Sequence, residues 1–255
     1  MAAVLRRVPL LAFEPNYVAG LANRTMKKFA AAAAVQFEET GKGFRRAEVT
    51  GVPIRAEFFD VQRSGRGEMP SVLVFGGSQG ARAINEAMIA AFPGMMEKIP
   101  ELKIVHQTGE RDYEHVRDAY AQLSARFKQA RWEVLPFIED MPRRFAEADL
   151  IVARSGASTV AEVAASGRAA IFIPLPTAAD DHQTRNALAM VTAGAAEVLL
   201  QAEMNGHELA GRITRLLQPS GRERLVDMGE RARTMAKPNA AEKIADMAAE
   251  LAGVR

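Results

Sequence analysis

The sequence Val74-Phe75-Gly76-Gly77-Ser78-Gln79-Gly80-Ala81-Arg82 joins an apolar, β-branched run to the start of an amphipathic stretch. Glycines let the backbone turn tightly and approach a ligand, and the helix that follows offers free amides to a phosphate or an oxyanion. The glycine spacing matches neither a Walker loop nor the dinucleotide-binding fingerprint. Taken alone, this stretch predicts a tight strand-to-helix turn, with or without a ligand.

The same alternation of short strands and amphipathic helices continues downstream and is typical of parallel βαβ units. The predicted strands span residues 71–75, 103–107, 132–135, 149–153, 169–173 and 196–199. The predicted helices span residues 81–91, 112–126, 141–148, 159–166 and 183–192, followed by 207–217, 222–236 and 240–251. Gly167 stands where a helix C-cap is expected. The pattern predicts an α/β, Rossmann-like parallel sheet.

Upstream of residue 71 the pattern resembles the tail of another α/β unit. It predicts strands at 9–13, 33–37 and 48–50 and a basic helix at 17–29. The polar segment 57–69 is the best linker candidate. We divide the chain into residues 1–55, the end of an N-terminal domain; residues 56–238, the Rossmann-like domain; and residues 239–255, a C-terminal helix that packs back toward the N-terminal part.

Composition excludes several classes of protein. With 255 residues, 48% of them hydrophobic, the chain can bury a sizeable core. A net charge of +2 does not imply a nucleic-acid partner. The absence of cysteine excludes a disulfide scaffold and a thiolate metal site. No stretch approaches the roughly 20 apolar residues that span a bilayer, and the short apolar run near the start has no cleavage site, so we expect a cytosolic protein.

A second small-residue turn, 153–158, again leads from a strand into a helix. Open amides at the helix start could hold a diphosphate on the positive end of the helix dipole. Glu162 lies one turn further in, where a carboxylate can accept two hydrogen bonds from a ribose diol. The segment 159–162 also spells a capping box that needs no ligand, and local sequence favours that cap.

Two further loops could carry binding groups. The loop 174–186 contains amide and imidazole side chains that suit the hydroxyls of a neutral sugar, although Asp180 or Asp181 could simply cap a helix. In the segment 134–141, the Phe137 ring could form one side of a base-binding pocket, and the Ile138 backbone could contact the edge of the base. Phe137 could equally be ordinary core.

All four loops follow predicted strands, and the carboxyl ends of parallel strands form the ligand crevice of an open sheet. The sequence has no Asp-x-Asp motif, which commonly holds a metal under a nucleotide diphosphate in the other major transferase fold. A helix N-terminus must hold the diphosphate instead. We therefore expect neither a metal nor a cofactor.

Together these residues resemble the MurG family of glycosyltransferases, specifically its C-terminal donor domain. The matching motifs follow one another in order and spacing at 76–82, 106–109, 136–141, 154–162, 182–183 and 186–187, with upstream matches at 14–16, 20–23 and 50–55. The resemblance implies a GT-B-type fold, with a complete UDP-sugar-binding domain and a remnant of a second Rossmann-like domain, the acceptor domain.

The resemblance also implies the roles of individual residues. The Ile138 backbone would meet uracil and Glu162 would meet the ribose. Ser78 and Arg55 would face the donor phosphates or the interdomain cleft. Gln183 would contact the N-acetylglucosamine hydroxyls, and Asn16 would contact the sugar from the other domain. The diphosphate and its surroundings would be bound by the start of one helix, at Ala157, Ser158, Thr159, Val160 and Ala161.

The implied reaction is inverting transfer of N-acetylglucosamine from UDP-N-acetylglucosamine to undecaprenyl-pyrophosphoryl-MurNAc-pentapeptide, a step of peptidoglycan biosynthesis. Catalysis would rest on positioning and on stabilising the departing UDP. The implied location is peripheral, on the cytoplasmic face of the inner membrane. The basic helix could touch anionic lipid through Arg24, Lys27 and Lys28 near Leu21, Met26 and Phe29, or it could be the solvated face of a packed helix.

The sequence departs from the family pattern in two ways. Family members usually have His and Gln beside the glutamate in the segment that reads Phe13-Glu14-Pro15-Asn16 here. The family's general-base histidine lies in an N-terminal glycine-rich loop that this chain lacks, so we expect no catalytic residue here, and donor binding with little or no transfer. A UDP-sugar epimerase of the same fold and a non-catalytic UDP-sugar-binding or membrane-docking module are the alternatives.

Overall fold

A small parallel sheet opens the fold in the computed structural model, which describes residues 5–61 and 69–254. Its elements are β1 (Leu11–Glu14), α1 (Leu21–Met26), β2 (Ala32–Val35), α2 (Glu38–Gly41) and β3 (Ala47–Val49). The strands pair in the order β1-β2-β3, and all pairs are parallel. The three strands predicted upstream of residue 71 are confirmed, and the short helix α2 was not predicted.

A six-stranded parallel sheet follows. Its elements are β4 (Ser71–Phe75), α3 (Arg82–Lys98), β5 (Lys103–Gln107), α4 (Tyr113–Ser124), β6 (Arg131–Leu135), α5 (Met141–Glu147), β7 (Leu150–Ala153), α6 (Ala157–Ser166), β8 (Ala169–Phe172), α7 (His182–Thr192) and β9 (Ala196–Val198). The strand order is β6-β5-β4-β7-β8-β9. The order of connection therefore reverses between β4 and β7, which is where open α/β sheets bind ligands.

Three helices close the chain: α8 (Gly206–Leu217), α9 (Arg222–Thr234) and α10 (Ala240–Ala252). Helix α8 packs on α3, and α9 packs on α6. Helix α10 returns to the small sheet, where Met247 is buried against Ala32 and Ala34. Both terminal guanidinium nitrogens of Arg46 bond the Glu250 carboxylate, at 2.8 and 2.6 Å.

The core lies on both faces of the larger sheet. On strand β4, Val72 and Val74 join the cluster under α3 and α8, whereas Leu73 and Phe75 join the cluster on the opposite face. Burial on both faces explains the near-continuous apolar runs of these strands. No helix among the described residues is long and apolar enough to cross a membrane.

Helix α3 is longer than predicted. The sequence predicts an end at residue 91, but the helix continues through Pro93 to Lys98. Phe92, Met95 and Met96 are fully buried in the core under α3 and α8. Burial of three large side chains outweighs the hydrogen bond that a proline removes, typically about 3 kcal/mol.

The basic helix predicted at 17–29 is shorter, because α1 begins only at Leu21. The Glu14 carboxylate is buried and accepts hydrogen bonds from the N–H groups of Asn16 and Gly20, at 3.1 and 2.8 Å. It also accepts one from the Asn23 side chain at 2.8 Å. These side-chain bonds compete with helical ones and hold residues 15–20 in a non-helical turn.

The predicted linker, 57–69, lies partly outside the described residues. Its described beginning is packed: Ala56–Phe58 forms a single 3₁₀ turn, Phe58 is fully buried, and Val61 is buried. The Phe58 ring meets that of Phe145 edge-on at 5.1 Å. At residues 57–61 the chain is therefore part of the core and not a free linker.

Candidate functional site

The candidate site is a crevice at the carboxyl ends of the strands, around the reversal between β4 and β7. The turn 76–80 follows β4 and the turn 154–156 follows β7, so they flank this point. The loops after β5, β6 and β8 extend the same edge on either side. Five loops that are separate in sequence thus share one rim.

Helix α6 begins with exposed donors. Its N-cap is Gly156, in an extended conformation, and no side chain caps it. The first N–H groups of a helix have no partner inside the helix, so Ala157, Ser158 and Thr159 present theirs toward the crevice. The capping box favoured by local sequence is wrong, because Thr159 lies inside the first turn.

The remaining residues of that predicted group have a different role. Val160 and Ala161 are buried, and the Val160 N–H already donates to the Gly156 carbonyl oxygen at 3.0 Å. They pack helix α6 onto the sheet. The helix start is fixed from behind by Ser155, whose hydroxyl donates to the Gln183 carbonyl oxygen at 2.8 Å.

Glu162 lies one turn into α6 and is half-buried. Burial raises the pKa of its carboxyl to about 7, and the Arg55 guanidinium opposes that rise. Within the described part of the chain, no hydrogen bond or ion pair satisfies this carboxylate. A half-buried acceptor without a protein partner is suited to a ligand that brings its own donors.

Arg55 reaches the crevice from the end of the small-sheet segment. Its Nη1 donates to the Glu139 carbonyl oxygen at 3.3 Å, and its guanidinium lies 5.4 Å from the centre of the Phe58 ring. Arg55 therefore contacts the loop after β6 while acting electrostatically on Glu162. This position places a fixed positive charge beside the start of α6.

The loop after β6 holds the residues predicted to meet a base. Phe137 is 51% exposed, so it is not core and its ring is available to a ligand. The Ile138 side chain is buried, and its N–H donates to Oε1 of Gln107 at 3.0 Å. The backbone group of Ile138 that remains for a base is its carbonyl oxygen.

The glycine-rich turn after β4 is locked against the loop after β5. Gly80 has φ +73°, and a Cβ there would lie 1.8 Å from the Thr108 carbonyl oxygen. Gly109 has φ +79°, and a Cβ there would lie 2.2 Å from the Gln79 carbonyl oxygen. Only glycine fits either position. Ser78, at the tip of the turn, is exposed to the crevice side.

Asn16 follows strand β1 of the small sheet and bonds to α7, and Gln183 lies in the first turn of α7. Oδ1 of Asn16 accepts from Nδ2 of Asn186 at 3.1 Å, and Nδ2 of Asn16 donates to Glu14 at 3.3 Å. Oε1 of Gln183 accepts from the Leu175 N–H at 3.0 Å. Both amides are oriented by protein partners, and sugar contact by either one stays a prediction.

The segment 106–109 matches a family motif and contains buried polar side chains, among them His106 and Gln107, whose roles the sequence does not predict. His106 is fully buried between Tyr120 and Asn85, at 3.1 Å from each, and burial lowers its pKa to about 3. It is a structural imidazole. Gln107, at the end of β5, connects two crevice loops. A polar residue that ends a buried strand was the signal that could have revealed it.

The described residues contain no cluster of three or more His, Asp or Glu side chains that could hold a metal ion. The positive groups at the crevice include the amides of α6 and Arg55. This arrangement can bind a diphosphate by helix amides, a ribose by Glu162, and a base by Phe137 and the Ile138 carbonyl.

Comparison with known proteins agrees with this geometry. Residues 71–248 match the model of the glycosyltransferase family 28 C-terminal domain. The chain is 44% identical to a Solibacter usitatus protein named UDP-N-acetylglucosamine–N-acetylmuramyl-(pentapeptide) pyrophosphoryl-undecaprenol N-acetylglucosamine transferase, with 99% of this chain and 68% of the relative covered. It thus spans about two thirds of that relative's length.

Solved structures give the same result. The crystal structure of Acinetobacter baumannii MurG superposes with a TM-score of 0.84 at 35% identity, covering 98% of this chain and 69% of that one. The S. aureus MnaA–UDP structure superposes with a TM-score of 0.69 at 13% identity, covering 100% and 72%, and shows a shared fold alone. The predicted GT-B-type fold is confirmed, and the chain belongs to the MurG family of family 28 glycosyltransferases.

Proposed function

We propose that this chain binds UDP-N-acetylglucosamine and serves as the donor-binding part of an inverting N-acetylglucosaminyltransferase whose acceptor is a lipid-linked MurNAc-pentapeptide. Relatives that are 38–44% identical bear the name of that transferase. The observation that carries the proposal is the uncapped start of α6 with the unpaired Glu162 one turn inside it.

The arrangement fits the three parts of a uridine diphosphate. The amides of Ala157, Ser158 and Thr159 meet the diphosphate at the positive end of the helix dipole. Glu162 accepts hydrogen bonds from the ribose diol. The Ile138 carbonyl and the exposed ring of Phe137 receive uracil.

Transfer requires the diphosphate to leave as an anion while the acceptor hydroxyl attacks the sugar carbon from the opposite face. The helix amides and the Arg55 guanidinium are already oriented before charge develops, so they stabilise the departing UDP without reorganisation. Gln183 and Asn16, each oriented by a protein partner, are the proposed partners of the sugar hydroxyls. We assign no general base to the described residues.

The proposal is tested by incubating the chain with UDP-N-acetylglucosamine and following the nucleotide sugar by NMR and calorimetry. We expect saturable binding of UDP-N-acetylglucosamine, competition by UDP, and no competition by ADP-glucose. Appearance of the 2-epimer would instead assign the chain to the epimerase class, with which it shares a fold. Absence of UDP-sugar binding by folded protein would overturn the proposal.

We further propose a peripheral contact with an anionic membrane surface. Leu21 is 71% exposed and Phe29 is 47% exposed, beside Lys27 and Lys28. Arg24 is occupied by Asp180 at 3.0 Å. An apolar pair flanked by cations suits a charged lipid interface. Sedimentation with vesicles should require anionic phospholipid and should be lost in Phe29→Ser; equal sedimentation with neutral vesicles would contradict this contact.

A further inference from the structure

Gln107 joins two loops of the crevice through one buried side chain. It ends β5, next to the central strand β4, and is 1% exposed. Its Nε2 donates to the Gly77 carbonyl oxygen at 2.9 Å, and its Oε1 accepts from the Ile138 N–H at 3.0 Å. A single amide therefore ties the glycine-rich turn to the loop that would receive the base.

The bond to Ile138 decides which backbone group the base can meet. Because the N–H points to Gln107, the carbonyl oxygen is the group that remains, and a carbonyl oxygen only accepts hydrogen bonds. N3 of uracil carries a hydrogen and can donate to it. N3 of cytosine carries a lone pair and would repel it.

The second bond fixes the position of the glycine-rich turn relative to Ile138. Gly77 begins a turn that closes on Gly80 at 2.9 Å, and Gly80 is locked against Thr108. The Gln107 side chain holds this turn at a set separation from Ile138. A shift of either loop would therefore break a buried hydrogen bond, which leaves cytosine only its N4 amino group, in a displaced position, as a donor to this carbonyl oxygen.

We propose that Gln107 is a positioning residue that sets the selectivity of this crevice for uracil over cytosine, by turning the Ile138 N–H away from the base. The inference rests on the proposed function, since it presumes that the crevice receives the base of a pyrimidine nucleoside diphosphate. Gln107 itself touches no ligand in this account.

The test is Gln107→Met, which keeps the length of the side chain and removes both hydrogen bonds. Dissociation constants are measured for UDP, CDP and inorganic pyrophosphate on wild type and variant. The ratio of the CDP to the UDP constant should fall about tenfold, because a freed Ile138 N–H can donate to N3 of cytosine. A merely structural role would weaken all three ligands alike and leave the ratio unchanged.

Gln107→Glu supplies a second variant of the same shape. Its protonated carboxyl can accept from Ile138 and donate to Gly77, whereas the ionised form cannot donate. Burial favours the protonated form. Both forms accept from the Ile138 N–H, so the preference for UDP over CDP should stay close to wild type, and a ratio as low as that of Gln107→Met would contradict the inference. Gln122→Met, at an exposed position on α4, is the matched control and should change no ratio.

The outcomes separate the two proposals. The inference about Gln107 is overturned if folded Gln107→Met still binds UDP and its ratio of the CDP to the UDP dissociation constant lies within roughly twofold of wild type. That result leaves the proposed function intact. Failure of the wild-type chain to bind UDP overturns the proposed function and this inference with it.

Discussion

Nδ2 of Asn186, a wholly buried residue of α7, donates to Oδ1 of Asn16 over 3.1 Å. The same nitrogen donates to the Ser155 carbonyl oxygen at 3.1 Å, and Oδ1 of Asn186 accepts from the Tyr17 N–H at 2.9 Å. One amide thus connects the segment after β1 to the turn that starts α6. The Asn186 amide therefore supports both the contact of the segment after β1 with α7 and the turn that precedes the proposed diphosphate site.

Asn186→Ala should destabilise the fold, because it leaves the Tyr17 N–H without its acceptor and takes a donor from Ser155. We expect a loss of about 2–4 kcal/mol in the free energy of unfolding, measured by urea titration. Gln122→Ala, which removes an exposed amide on α4, should cost under about 0.5 kcal/mol. A similarly small cost for Asn186→Ala would contradict the connection.

Glu162→Ala should weaken UDP binding by roughly 1–3 kcal/mol without lowering the melting temperature, since it removes an acceptor from the ribose but no bond within the described protein. Calorimetry and thermal unfolding check the two parts separately. Glu203→Ala, at an exposed turn, is the control and should leave UDP affinity unchanged. If Glu162→Ala lowered the melting temperature and kept the affinity, Glu162 would be a structural residue.

Glu162 should also give the fold a pH dependence. Its folded-state pKa of about 7 lies above the ordinary value of 4.5, so the folded state holds the proton more tightly than the unfolded one. Stability from this group is therefore lost as pH rises between these values. The free energy of unfolding of Glu162→Gln, relative to that of wild type, should rise by about 1–3 kcal/mol from acidic to mildly alkaline buffer.

The measurement is urea unfolding of both proteins across that pH range. Glu203→Gln is the matched control, because it replaces an exposed carboxyl. A wild-type stability profile that runs parallel to that of Glu162→Gln throughout the range would show that the Glu162 carboxyl is not desolvated.

Two glycine substitutions should change the free energy of unfolding in opposite directions. Gly80→Ala puts a side chain at positive φ and against the Thr108 carbonyl, so it should destabilise by about 3 kcal/mol or more. Gly211→Ala lies inside α8 with nothing within 4 Å of the new methyl group, so it should stabilise by about 0.5–1 kcal/mol. Chemical denaturation of both variants checks the pair. Equal effects would contradict the locked turn.

Much of the larger sheet could be predicted from the sequence because its strands are apolar on both faces and punctuated by glycine. Gly167, at φ +61°, caps α6 as expected. Local patterns failed where the burial of particular side chains decides the conformation. Pro93 stays helical because its neighbours are buried, and the turn after β1 is set by the Glu14 carboxylate.

The candidate site was partly predictable for the same reasons. The loops could be placed on one rim, because the carboxyl ends of parallel strands meet there. The true start of α6 at Gly156 could not, because it depends on Ser155 being held by Gln183 and Asn186. Arg55 and Glu162 are far apart in the sequence, and no local pattern predicts that Arg55 acts on the Glu162 carboxyl.

The account depends most on the claim that helix amides and one carboxylate hold uridine diphosphate without a metal. Calorimetric titration of the wild-type chain with UDP in buffer containing a strong chelator tests it directly. We predict saturable one-site binding that is unchanged when magnesium replaces the chelator. Absence of heat and saturation on protein verified as folded, or binding that requires the metal, would contradict the account.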